Sequence, residues 1–329
     1  MSFQKLDDLG RKLESLEHAL SILGADEATH MAVGGGEKRA EAMANLAGMY
    51  HAQATAPQIA DWIKAARPET EDQTLALAEF KRQYINATCL PTDFVERRTA
   101  ATMRSEQLWR DLRAKGDWDS FLPALEGVIA LVREEAQLRA NATGLAPYDA
   151  LMDQYDPGNR TADLDPVFAD LKSFLKGFVP EALAAQEARL AKRPRKSLNA
   201  PYPIEKQREL GLAAMRAVGF DFTHGSHHPF CGGVPSDVRM TTRYRTDEFL
   251  SSLMGVLHET GHALYEQGLP KEWSHWPLGK ARGMGIHESQ SLFVEMQLAR
   301  SPEFWDFALP LVHQHLGPDA IPGWETADV

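Results

Sequence analysis

Leu253-Met254-Gly255-Val256-Leu257-His258-Glu259-Thr260-Gly261-His262-Ala263-Leu264-Tyr265-Glu266 sets two histidines four residues apart, with a glutamate directly after the first. On an α-helix four residues advance about 6 Å and slightly more than one turn, so both imidazoles leave the same face. One divalent metal fits between them. Glu259 is rotated to the side, where it reaches a water on that metal without ligating it. Leu253, Val256, Leu257, Leu264 and Tyr265 supply a helical apolar stripe, and Ser251 and Ser252 are placed to cap its start. The competing reading is a helix that merely buries two histidines. It leaves Glu259 as a buried charge without a partner, which is costly.

Two imidazoles under-coordinate such an ion, so a third protein ligand is required, with one position kept for water. Glu266 lies about 6 Å beyond His262 on the same helix and points past the metal. Glu288, 26 positions after His262, falls within Gly285-Ile286-His287-Glu288-Ser289-Gln290-Ser291. It belongs to the next helix and approaches from another side. Glu295, two turns later, is the weaker alternative, better suited to backing a ligand or to the surface. The expected ligands are His258, His262 and Glu288, holding one divalent ion. Zn²⁺ is the expected metal, and Co²⁺ suits the same donors. This set makes hydrolysis the natural chemistry, because the metal polarises a carbonyl and lowers the pKa of a water towards about 7. Glu259 then takes the water's proton and passes it to the leaving amine, a role worth about 10²–10⁴-fold in rate. The oxyanion needs further donors. Arg239, Arg243, His228 and His287 are near in sequence, and spacing does not choose among them. For the two arginines a structural salt bridge is the competing role.

Upstream of the metal helix, Asp237-Val238-Arg239-Met240-Thr241-Thr242-Arg243-Tyr244 alternates, with Val238, Met240, Thr242 and Tyr244 on one face and Arg239, Thr241 and Arg243 on the other. A strand is expected here, either with an edge able to pair with an extended peptide or as ordinary cover for the helices. Residues 220–237, rich in Gly, Pro, Ser and His, read as a structured loop. Everything earlier reads as helix. Leu6, Leu9, Leu13, Leu16, Leu20 and Leu23 form a stripe that ends at Gly24, with a break over 25–31. Further helices are expected at 37–55, 57–66, 69–86, 94–115, 121–141, about 165–192 and 203–218, with a turn-rich connection at 147–158. Downstream, helices are expected from near Gly285 to Arg300 and over 302–316, followed by loop.

Composition narrows the function. The chain has 329 residues and a net charge of −11, which argues against a nucleic-acid footprint or a basic membrane surface. The start shows no signal-peptide pattern, and no stretch approaches the about 20 apolar residues of a membrane span. Two cysteines are too few for a disulfide framework or a thiolate zinc site, so a cytoplasmic location is expected. Gly34-Gly35-Gly36 lacks the strand and the following Lys of a phosphate loop and reads as a turn. Lys192-Arg193-Pro194-Arg195-Lys196 reads as a solvated loop.

The chain resembles the Taq carboxypeptidase family of metallocarboxypeptidases. His228-Pro229-Phe230, Asp237-Val238-Arg239-Met240-Thr241, His258-Glu259-Thr260-Gly261-His262 and His287-Glu288-Ser289-Gln290 carry the resemblance in the family's order. Weaker similarity runs through residues 26–31 and 148–153. The resemblance implies a mainly α, zincin-like fold with a long substrate groove between two lobes and a small sheet beside the metal helix. It implies release of single residues from peptide C-termini, with broad tolerance and reluctance at proline, a zinc or cobalt ion, and a homodimer. It assigns metal ligation to His258, His262 and Glu288 and general-base work to Glu259. Asp237, Arg239 and Thr241 would lie on the groove floor, with His228 as a further substrate contact. A single catalytic domain over 1–329 is expected, with a helical lobe at 1–200 and a metal-binding core at 201–329. The family's later motifs, expected to grip the substrate's terminal carboxylate and the oxyanion, do not appear after Arg300, so the chain reads as C-terminally incomplete. The alternatives are an endo-acting oligopeptidase and an inactive remnant that still binds metal.

Overall fold

A computed structural model describes residues 2–29, 31–193, 196–221, 225–227, 232–235, 237–240 and 242–328. Helix dominates, as the periodicities require. The chain begins with α1 (Ser2–Thr29), α2 (Gly36–Ala54), α3 (Gln58–Ala65) and α4 (Glu71–Thr88). It continues through α5 (Thr92–Arg113), α6 (Trp118–Thr143), α7 (Pro147–Met152) and α8 (Thr161–Lys192). After α9 (Ile204–Ala217) come the short strands β1 (Gly225–His227), β2 (Gly232–Val234) and β3 (Asp237–Met240). Helices α10 (Leu250–Gln267), α11 (Met284–Leu292) and α12 (Pro302–Leu316) follow. The fold is therefore mainly α with one small sheet beside the histidine-bearing helix, as expected.

Two compact units divide the chain, residues 1–9 with 51–169 and residues 10–50 with 170–329. In the first, α5 and α6 pack together, with Phe94, Ala136 and Ala140 buried. Thr70 caps α4 by accepting from Gln73 N, and Asp117 caps α6 by accepting from Ser120 N. Gly144 ends α6 at φ +75°, a left-handed turn that a side chain would strain. Pro147 opens α7 inside the expected turn-rich connection, at the first helical position where its missing N–H costs nothing.

In the second unit α10 is the axis. Leu253 and Leu257 share one buried cluster with Tyr202, Leu210, Val294, Phe304 and Trp305; α10 packs directly on α9, and α9 in turn on α12. On another side Val256 and Ala263 meet Val238 and Met240 of β3. Each buried Leu, Val, Met or Phe among these is worth about 1.5–3 kcal/mol. The sheet order is β1-β3-β2, with β1 parallel and β2 antiparallel to β3.

Several expectations are corrected. α1 runs on to Thr29, because Ala25, Glu27 and Ala28 favour helix and Gly24 alone does not stop it. Arg39 of α2 pins that extension by donating to Leu23 O and Asp26 Oδ2. β3 ends at Met240, and both its edges are taken by β1 and β2, so it offers no free edge to a peptide. Ser251 and Ser252 lie inside α10; the Glu248 carboxylate does the capping, accepting from Ser251 N at 2.9 Å. Arg193 and Lys196 of the basic run pair with Asp328, and Arg193 also with Glu325. The Lys196 bond, then the Glu325 backbone N–H and the charge of Arg193, hold the Asp328 carboxyl down at about 2.

Candidate metal centre

His258 and His262 leave α10 on one face, their ring centroids 5.0 Å apart and nearly perpendicular. α11 brings Glu288 against both. Its Oε1 lies 3.7 Å from His258 Nε2 and its Oε2 3.4 Å from His262 Nε2. One donor atom from each of the three residues lies within 4.8 Å of the others. The expected triad is thus brought together by two helices rather than one.

What lets the helices come so close is Gly261, between the two histidines. A Cβ there would stand 2.4 Å from the Gln290 carbonyl oxygen and 2.6 Å from Ser291 Cα. Only hydrogen fits in that space. Thr260 and Ser291, both fully buried, satisfy their hydroxyls locally, on Val256 O and Glu288 O. The sequence held the signal, since a glycine inside a helix costs about 1 kcal/mol against alanine and calls for a packing reason. Spacing along one helix does not show which neighbour that reason involves.

Behind the triad the two histidines are held differently. His258 Nδ1 donates to Glu295 Oε2 at 3.0 Å, which leaves Nε2 with its lone pair towards Glu288. Glu295, seven residues after Glu288, returns to nearly the same helical direction. It lies in a π-helical turn, Phe293–Leu298, closed by Ala299 N donating to Val294 O. Arg300 approaches its other oxygen at 3.7 Å. Glu295 is therefore a support for His258. Burial, followed by the neighbouring His287 and His258, pushes His262 below its ordinary value despite the opposing charges of Glu259 and Glu288. The shift favours the neutral form, the one that ligates a metal. Glu259 is half-buried and close enough for its charge to act on His262.

The remaining expected residues separate. Glu266 does point past the triad, accepting from His287 Nε2 at 2.9 Å and lining a cavity of about 500 Å³ with Glu17, His18, Lys271 and Lys280. His287 stacks on His262. Arg239 grips Asp237 through two bonds, Nε to Oδ1 at 3.1 Å and Nη2 to Oδ2 at 2.9 Å. That partner holds the Asp237 carboxyl below its usual range. Both project from the face of β3 opposite buried Val238 and Met240. His228 and Thr241 lie outside the described residues. Two imidazoles and a carboxylate, with at least one tautomer fixed from behind, are the donor chemistry of a divalent metal.

A family model described as carboxypeptidase Taq (M32) metallopeptidase matches residues 5–326. Thermostable carboxypeptidase 1 of Thermus thermophilus is 37% identical over 330 residues, spanning 94% of this chain and 63% of its own length. Carboxypeptidase 1 of Bacillus subtilis is 30% identical, over 91% and 60%. Among solved structures, Trypanosoma cruzi metallocarboxypeptidase 1 superposes with a TM-score of 0.93 at 38% identity, covering 99% of this chain and 66% of that one. An M32 carboxypeptidase of Deinococcus radiodurans gives 0.89 at 28%, with the same coverage. The chain spans a little under two thirds of the length of these relatives. No helix among the described residues is long and apolar enough to cross a membrane.

Proposed function

The chain belongs to the carboxypeptidase Taq (M32) metallopeptidase family, and from that membership we propose that it is a zinc-dependent carboxypeptidase that removes residues from the C-terminal ends of peptides. The observation that carries the reading is the convergence of His258, His262 and Glu288 on one point, which suits zinc and, next, cobalt. The names of its relatives support the substrate class.

A bound divalent metal supplies Lewis-acid polarisation of the scissile carbonyl and a water acidified to near neutral pH. His258 and His262 present Nε2 to it, and Glu288 a carboxylate oxygen. Glu259 receives the proton from the attacking water and returns it to the departing amine nitrogen. Arg239 and Asp237 are the proposed substrate contacts, with His228 and Thr241 beside them in sequence. Because Arg239 is engaged twice by Asp237, gripping a peptide requires one of the pair to turn outward, and Arg239→Ala is expected to raise KM before it lowers kcat. The protein is further read as cytoplasmic, and the full-length form of the family as a homodimer; light scattering of the purified chain tests whether this form pairs as well.

The deciding experiment compares one peptide with a free and with an amidated C-terminus, in the wild type and in Glu259→Gln. Cleavage of the free form alone, lowered about 10²–10⁴-fold in the variant with metal content unchanged, is the expected result. Equal cleavage of both peptides would move the reading to an endo-acting oligopeptidase. One metal per chain without Glu259-dependent hydrolysis would make it a metal-binding protein and no enzyme.

A further inference from the structure

The two histidines of the triad differ on their back sides. His258 Nδ1 has Glu295. His262 Nδ1 is buried and finds no hydrogen-bond partner among the described residues. A metal-ligating imidazole nearly always has such a partner, because the hydrogen bond fixes both tautomer and ring orientation. His262 needs some other restraint. Rotation of the ring about its Cβ–Cγ bond would carry Nε2 away from the metal, and a flat neighbour can oppose that rotation.

His287 is that neighbour. Its ring lies 4.4 Å from the His262 ring, with 17° between their planes. His287 is itself fixed on two sides. Its Nε2 donates to Glu266 Oε1 at 2.9 Å, and Tyr265 meets it edge-on at 5.2 Å and 84°. Glu266 and Tyr265 stand on α10 with His262, while His287 stands on α11 directly before Glu288. A rotation of the His287 plate therefore disturbs His262 by direct contact.

We propose that His287, anchored by Glu266, is a positioning residue that orients His262 for metal by ring stacking, in place of a hydrogen bond that no described residue supplies. This gives a second, independent route to ligand orientation in one centre, a carboxylate behind His258 and an aromatic plate beside His262. The inference rests on the ligand set proposed above.

Zn²⁺ affinity, measured by chelator competition on the purified full chain, tests it, with the visible spectrum of the Co²⁺ form as a second readout. His287→Ala is expected to bind Zn²⁺ about 10–100-fold more weakly, the range seen when the support of a ligand is removed. His287→Phe keeps the flat ring but loses the Glu266 bond, as Glu266→Ala does, so both are expected to fall between wild type and His287→Ala, with a Co²⁺ spectrum nearer that of wild type. Unchanged affinity in His287→Ala overturns the proposal, and so does a loss in His287→Phe as large as that in His287→Ala. If His287→Ala does not fold, His287→Phe against Glu266→Ala carries the same contrast: Phe weak and Ala unchanged overturns it. His262→Ala is the control for the underlying ligand set. If it binds Zn²⁺ as well as wild type, the ligand assignment itself fails and the stacking role with it, a result distinct from a His287 effect alone.

Discussion

Glu135 in the first unit and Glu288 in the second each sit among basic nitrogens, and the fold seals the one while leaving the other open. Glu135 is buried, and both its oxygens are used: Arg98 Nη1 lies 2.5 Å from Oε2 and Arg139 Nε 2.8 Å from Oε1. Arg139 is buried as well, and its Nη1 reaches the Asn86 carbonyl at 3.4 Å. The two guanidiniums occupy both oxygens of the one carboxylate, which leaves neither oxygen open to an ion. Glu288 is half exposed, and its ion-pair partners are two imidazoles at 3.7 and 3.4 Å, wider than the about 2.7–3.2 Å of an N–H···O bond. Both contacts leave a gap between the facing donor atoms. A cluster of titratable groups is structural when its members satisfy each other, and is a candidate for chemistry when they converge without doing so.

The sharpest way to break this comparison is to remove each carboxylate. Glu135→Ala leaves Arg139 buried without a counter-charge and is expected to cost about 3–5 kcal/mol of unfolding free energy, with metal binding untouched. Glu288→Ala, on the metal-free protein, is expected to change stability by less than about 0.5 kcal/mol, the usual range for an exposed position, while Zn²⁺ binding collapses. Denaturant titrations of both variants, each with a metal assay, check the pair of outcomes. Equal stability losses would end the distinction between sealed and open.

Gly261→Ala sharpens it from the other side, because it touches no donor atom. The added methyl must push α11 away from α10, and overpacking of this kind costs about 1–3 kcal/mol. Since Glu288 rides on α11, weaker Zn²⁺ binding is expected along with the lower melting temperature. A variant that melts early but binds metal normally would separate helix packing from ligand placement.

These contrasts also mark what the sequence could and could not carry. His258, His262 and Glu288 were legible because a 3.6-residue period and a known donor chemistry suffice to put three side chains on facing helices. Gly261 was visible as a helix-interior glycine but not as a spacer, since no partner backbone can be read from one chain segment. The strand after Asp237 was legible only in its alternation. That β3 is the middle strand follows from β1 and β2, segments of three residues each whose composition reads as loop. α8 shows the same limit most plainly. Phe168, Leu171, Phe174 and Phe178 recur as a core-facing stripe should, yet all are exposed. Periodicity says that a face is apolar and leaves open what covers it. The sealed cluster was out of reach for a related reason, as Arg98 and Glu135 are 37 positions apart and only the pairing of α5 with α6 joins them.

The smallest effect concerns pH and tests the sealed side alone. Burial by itself would raise the Glu135 carboxyl, but hydrogen bonds from Arg98 and Arg139 outweigh it and hold the group below its ordinary range. The unfolded chain, with a glutamate near about 4.3, therefore binds the proton more readily than the folded one. It follows that Glu135 contributes its full stabilisation above that unfolded value and loses it as pH falls through the lower, folded one. Glu135→Gln keeps the shape and removes the titration, so the acid limb of its stability curve is expected to be shallower than that of the wild type below about pH 4.3. The two curves should run parallel at neutral pH, offset by the lost pairing. Melts between neutral pH and pH 3 on the metal-free protein make the comparison. Parallel acid limbs would mean that Glu135 is not the carboxylate whose protonation opens the first unit.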